Sequence, residues 1–144
     1  MLKNIHLLAG IFLSGLAGSV WAAPPYFEGA AAEIRGARVW NDDIAYVSGG
    51  VGESARSEMR RIGGDYNLHL IFSEPTGAYL AFVDVVIEDE RGRRMFDTTS
   101  QGPWLFADLP PGTYRITARS RDGVFITRTI DVGTRPIEVN FTWG

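Results

Sequence analysis

Over most of its length this chain alternates apolar and polar residues in short runs, each closed by glycine, proline or a cluster of small polar residues. Tyr114, Ile116 and Ala118 alternate with Arg115, Thr117 and Arg119, a period of two with one dry face and one wet. The run follows Pro110, Pro111 and Gly112, where two fixed φ angles and a permissive glycine close a tight corner. Tyr66, Leu68, Leu70 and Phe72 share a face, which sends Asn67, His69 and Ile71 to the other. Val83, Val85 and Ile87 are in phase within Leu80 to Asp89, and Ile137, Val139, Phe141 and Trp143 alternate at the end of the chain. Shorter strands are predicted over Met95 to Thr99 and Trp104 to Leu109, and another over Val124 to Val132. In that last run Arg128 shares a face with Ile126, Ile130 and Val132, which marks a bulge or an edge. Arg91 to Arg93 and Arg121 to Gly123 read as hairpin turns. From Tyr66 onward the pattern gives about seven short strands, an all-β antiparallel Greek-key sandwich with a barrel as the competing closure.

The front of the chain is different. Ala55, Met59 and Ile62 are spaced four and three apart, so Glu53 to Ile62 reads as one short amphipathic helix, acidic at its start and basic at its end. Before it, Ala37 to Val47 reads as a short strand or two about a turn, and Ser48 to Gly52 as a glycine-rich break. Such a break ahead of a helix can cradle phosphate, but no Gly-Lys-Ser/Thr ending follows, and a plain connecting loop is the competing reading. Pro24 to Gly36 has no period and reads as a mobile segment. Lys3, an apolar run from Ile5 to Val20, and small residues at Val20 and Ala22 read as a secretory signal peptide over residues 1–22, cut after Ala22 or Ala23. An N-terminal membrane anchor is the alternative. The expected organisation is therefore a leader, an extension over 23–64 carrying the helix, and a sandwich over 65–144, in a periplasmic or secreted protein.

Charge and composition narrow the chemistry. Without residues 1–22 the chain carries 13 arginines, no lysine and 17 acids, so nucleic acid and anionic membrane are poor partners and no membrane insertion is expected after cleavage. Cysteine is absent and His69 is the one histidine left, which removes thiol catalysis and a histidine-rich metal site within one chain. No cofactor is expected. Ser73 with Glu74, or Thr98, Thr99 and Ser100 beside Asp97, are fragments of a hydrolytic site, although short polar runs between strands usually serve turns. Asp84, Glu88, Asp89 and Glu90 offer oxygen ligands for calcium without the spacing of a calcium loop. Asp84 and Glu88 would stand about 13 Å apart along a strand, too far for a shared acid–base task. Trp40, Tyr79, Trp104 and Phe106 lie near turns or strand ends, where an exposed ring can stack on a sugar or dock a partner. Arg115 and Arg119 form an outward stripe that cross-strand acids such as Asp131 can pair.

The Val83 to Ile87 strand, the acid-Arg-Gly hairpin after it and the run LFADLPPGTYRITA together resemble the carboxypeptidase regulatory-like domains, transthyretin- or prealbumin-type sandwiches also found in bacterial surface proteins. The resemblance covers Tyr66 to Trp143 and implies a packing role for the corner, with the tyrosine filling the core. It implies no activity, since the zinc-binding catalytic domain of metallocarboxypeptidases is a separate unit with no match here. It also implies that the Lys–Asn cross-link of some bacterial relatives cannot form, because the chain past its leader has no lysine. The expected function is a non-catalytic module contacting an unknown protein or cell-envelope component through edge strands or turn loops. The rivals are a carbohydrate-binding module with a glycan partner and a small hydrolase.

Overall fold

The computed structural model describes residues 39–41 and 43–144, with side chains from Asp43 onward. The leader expected over 1–22 and the extension up to residue 38 lie outside the described residues. Nine strands and one α-helix follow in order. They are β1 (Val39–Asn41), β2 (Ile44–Gly49), α1 (Glu53–Ile62), β3 (Leu68–Ser73), β4 (Asp84–Asp89), β5 (Arg94–Thr99), β6 (Trp104–Asp108), β7 (Gly112–Arg119), β8 (Phe125–Val132) and β9 (Ile137–Thr142). One sheet has the order β1-β2-β6-β3-β9 and the other β5-β4-β7-β8. The chain changes sheets four times, at β3–β4, β5–β6, β6–β7 and β8–β9. The described residues form an all-β sandwich with a single short α-helix.

Its core lies between the sheets because the alternating runs each turn one face inward. Leu68, Leu70 and Phe72 from β3, Val85 and Ile87 from β4, Phe96 from β5, Tyr114, Ile116 and Ala118 from β7, and Phe141 from β9 are all buried in one cluster. Each of the valine, leucine, isoleucine and phenylalanine side chains contributes about 1.5–3 kcal/mol through removal of apolar surface from water. The corner before β7 is locked by polar contacts. Tyr114 is buried and its hydroxyl donates to the Pro110 carbonyl at 2.5 Å. Asn67 donates from Nδ2 to the carbonyls of Leu109 (2.6 Å) and Gly133 (2.9 Å), and its Oδ1 accepts from the Leu109 N–H at 2.8 Å.

Outside the five-stranded sheet sits a second, smaller core. Met59 and Ile62 of α1 close over Val47, Tyr66, Trp104 and Phe106. The helix is supported by Glu53 paired with Arg56 and Arg60, and by Glu58 paired with Arg61. The loop into β6 must pass tightly beside β2, since any side chain at Gly102 would run into the Gly49 carbonyl.

Two expectations change, and one open alternative is decided. The sandwich is not wholly antiparallel, because β9 runs parallel to β3 from Leu68↔Ile137 to Ser73↔Thr142. β8 and β9 lie in different sheets, so a crossover joins them rather than a hairpin, and no hairpin fixes their relative direction. The strand read from Leu80 begins only at Asp84, since Phe82 takes φ 57 and breaks the extended chain ahead of it. The ambiguous run after Gly123 is an edge strand, in unbroken register with β7 from Arg119↔Phe125 to Gly112↔Val132.

Candidate functional site

One end of the sandwich is open, and three segments meet there. Residues 74–83 leave β3 through a turn held by Glu74 N–H to the Ala78 carbonyl (2.8 Å) and Gly77 N–H to the Glu74 carbonyl (2.9 Å). The 120–124 turn between β7 and β8 closes with Ser120 N–H on the Val124 carbonyl at 3.0 Å and Val124 N–H on Ser120 Oγ at 3.3 Å. The end of β9 reaches across, with Trp143 Nε1 donating to the same Val124 carbonyl at 2.9 Å. Between them lies a cleft of about 850 Å³, apolar at Leu80, Val83, Val124 and Trp143 and charged at Glu74, Arg121 and Asp122.

Beside the cleft the surface is apolar out of proportion to the rest of the molecule. Five large hydrophobic side chains are exposed among the described residues, and three of them are Phe82 (48%), Val124 (54%) and Phe125 (64%). The Arg121 guanidinium lies 5.3 Å from the centre of the Phe82 ring, and that of Arg119 lies 5.7 Å from the centre of Phe125. Phe82 is also the one non-glycine residue at positive φ among those described. Its backbone is fixed in place by its own N–H on the Ser100 carbonyl and the Ser100 N–H on the Val83 carbonyl, both 2.8 Å. A residue held in this region costs of order 1–3 kcal/mol and persists where surrounding contacts over-determine it.

A smaller cavity of about 330 Å³ flanks α1 on the outer face of the other sheet, lined by Arg60, His69, Ile71, Trp104, Phe106 and Glu138 among others. His69 lies on the outward face of β3, as its phase implies, but half-buried beneath the helix end and stacked on Phe106 at 3.9 Å between ring centres. Its Nε2 lies 2.8 Å from the Gly63 carbonyl and 3.2 Å from that of Tyr66. Carbonyls only accept, so Nε2 carries a proton and serves structure. Trp104 Nε1 is buried with no hydrogen-bond partner, a cost of about 1–3 kcal/mol.

The residues singled out from the sequence fall into separate groups. Trp104 and Phe106 are 7% and 4% exposed beneath α1, so neither offers a ring to solvent. Tyr79 is exposed, edge-on to Trp104 at 6.4 Å, with the Arg56 guanidinium 5.5 Å over its ring. The side chain of Trp40 lies outside the described residues. Arg115 and Arg119 stand on the outer face of the other sheet, where Arg115 binds Glu88 at 2.5 and 2.9 Å and Arg119 meets Asp84 at 3.6 Å. Phe82, Val124 and Phe125 were missed by sequence reasoning. The signal available for Phe125 was its place after the Asp122-Gly123 turn at the head of a run with conflicting phase.

The acids and hydroxyls considered for chemistry are engaged singly. Asp84 accepts from Thr99 Oγ1 at 2.7 Å, and Asp97 pairs with Arg94. Thr98 bonds the Tyr46 hydroxyl, Ser100 bonds the Gly102 carbonyl, and Ser73 meets Thr142 Oγ1. Asp89 caps the β4–β5 hairpin, where the Arg93 backbone N–H foremost holds its carboxyl below the ordinary value. Among the described residues no three carboxylates or imidazoles gather where they could share a metal ion. Also among those residues, no helix is long and apolar enough to cross a membrane.

No protein-family model matches the chain, and no curated protein matches it. Nine chains of solved structures are similar to it. One is a crystal structure of the major pilin subunit of Bacillus cereus, with 14% sequence identity and a TM-score of 0.37. The match covers 53% of this chain and 28% of that one.

Proposed function

We propose that this chain is an exported, non-catalytic binding module of the carboxypeptidase regulatory-like sandwich type, and that it meets a protein of the cell envelope through the open end of the fold. One observation carries the reading: Phe82, Val124 and Phe125 are all exposed on the two segments that border a cleft, Val124 lining it, and Phe82 is held there at φ 57. Apolar groups clustered at the surface mark contact sites, and residues at strained backbone angles concentrate where binding needs a fixed geometry. The partner surface that fits is an apolar side chain, since Leu80, Val83, Val124 and Trp143 line the cleft and Phe82 and Phe125 are exposed on the segments that border it. A non-catalytic role is supported by the placement of His69 and Ser73 on β3 of one sheet and of Asp97 and Thr99 on β5 of the other. A sugar platform at Tyr79 is less well supported, because Arg56 already occupies a face of that ring.

The test is a photo-crosslinking residue placed at Phe125, and in a second variant at Asp97 on the far edge strand, each expressed with its leader in native cells. A discrete adduct from the Phe125 position and none from Asp97 is the expected result. Equal labelling from both, or labelling from Asp97 alone, sinks the assignment of the contact to this end.

A further inference from the structure

Among the described residues, β8 is the outermost strand of its sheet, bonded to β7 along eight residues and to no strand on its other side. β9 is the outermost strand of the opposite sheet. β1 and β5, the other two edges, pack against each other, so β8 and β9 flank the remaining side of the sandwich, tied at one end by Trp143 to Val124. Along this seam the apolar residues are incompletely covered: Ile126 and Ile130 of β8, and Ile137 and Val139 of β9, are half-buried against the core. Arg128 interrupts the seam. It pairs in register with the buried Ile116, which puts it in the inward phase between the two isoleucines, yet it is exposed and has no hydrogen bond or ion pair among the described residues.

A charge in the inward phase of an edge strand turns away any strand that would bury it against apolar groups, because an unpaired buried charge is costly. The same charge admits a strand that brings a carboxylate to meet it. We infer that the β8 edge is a strand-addition site for an extended segment of a partner protein, apolar at alternate positions, with an aspartate or glutamate in register with Arg128. Main-chain hydrogen bonds to the free edge supply affinity, apolar side chains continue the rows of Ile126 and Ile130, and the pairing with Arg128 selects the register. The inference rests on reading the chain as a binding module, and it names the class of segment that module takes.

The probes are two nine-residue peptides of alternating valine and threonine, one with glutamate and one with lysine at the central inward position, titrated into the full exported protein. Amide hydrogen exchange by NMR reads which strand is covered. The glutamate peptide is expected to protect amides of residues 125–132 and to bind at least tenfold more tightly than the lysine peptide. Arg128→Glu is expected to reverse that preference, and Arg128→Thr to abolish it without loss of the fold. Protection of no β8 amide, protection confined to another edge, or equal affinity for both peptides overturns the inference. So does β8 protection that rises with protein concentration alone, which assigns the edge to a second copy. If the peptides fail while the adduct at Phe125 stays specific, this inference falls and the binding-module reading stands.

Discussion

β7 joins two ends of the sandwich that are built to opposite ends. Where it begins, at Pro110 to Tyr114, every polar group named is matched: Asn67 spans the Leu109 and Gly133 backbones, Tyr114 bonds Pro110, and Thr113 bonds Asp131 at 2.6 Å. Where it ends, past Arg119, the chain turns through Arg121 to Val124 and leaves Phe82, Val124 and Phe125 facing solvent. The same strand thus carries a closed end, whose residues lower the energy of the fold, and an open end, where Phe82, Val124 and Phe125 are left largely exposed and gain little from burial. A side chain's effect on stability should therefore depend on which end it occupies, and its effect on binding should follow the reverse order.

The most forceful way to break the comparison is at Asn67. Asn67→Ala removes three hydrogen bonds and leaves the buried Leu109 N–H without an acceptor, so it should cost about 3 kcal/mol in denaturant unfolding. A loss below about 1 kcal/mol would mean that the corner is held by packing alone. Tyr114→Phe keeps the ring in the core and removes the hydroxyl, for an expected loss of about 1 kcal/mol at neutral pH. Burial foremost, and then the Asp89 carboxylate, raise the Tyr114 hydroxyl above its ordinary value. Above about pH 10 the unfolded chain therefore releases this proton before the folded chain does, and stability falls with rising pH until the raised value is passed. Phenylalanine cannot titrate, so the gap between the two proteins should narrow from pH 9 to 11, and a gap that widens would contradict the assigned direction.

Most of the closed end is legible in the sequence, and the reason is local. Tyr114, Ile116 and Ala118 declare their face by alternation, Pro110 to Gly112 declare the corner by fixed and permitted φ, and Ala55, Met59 and Ile62 set α1 at Glu53–Ile62. Alternation tells which face of a strand a residue takes, but not what covers that face. Trp104 and Phe106 read as rings near strand ends, yet α1 packs over them, so β6 is buried on both sides. The parallel pairing of β3 with β9 joins residues 69 apart in sequence, as at Leu68↔Ile137, and no short-range pattern encodes it. The open end was the least legible part. Its cleft is assembled from three distant segments, and Leu80 to Val83 reads as the start of a strand because apolar letters there signal burial by default.

The smallest expected effect on stability is at Phe82, and it sharpens the comparison most. Replacing a buried core phenylalanine such as Phe72 by a small residue costs about 3–5 kcal/mol. Phe82→Gly removes a ring of the same size, but one that is half exposed and sits at a φ glycine adopts without strain. Relief of that strain offsets the greater freedom glycine gives the unfolded chain and the loss of the contact with Arg121, so the net change should lie within about 0.5 kcal/mol of zero. If the open end is the contact surface, the same substitution should weaken the specific adduct formed from position 125 at least several-fold. A protein destabilised by about 2 kcal/mol or more, with that adduct intact, would show instead that Phe82 is a structural residue and that the strain at φ 57 serves packing.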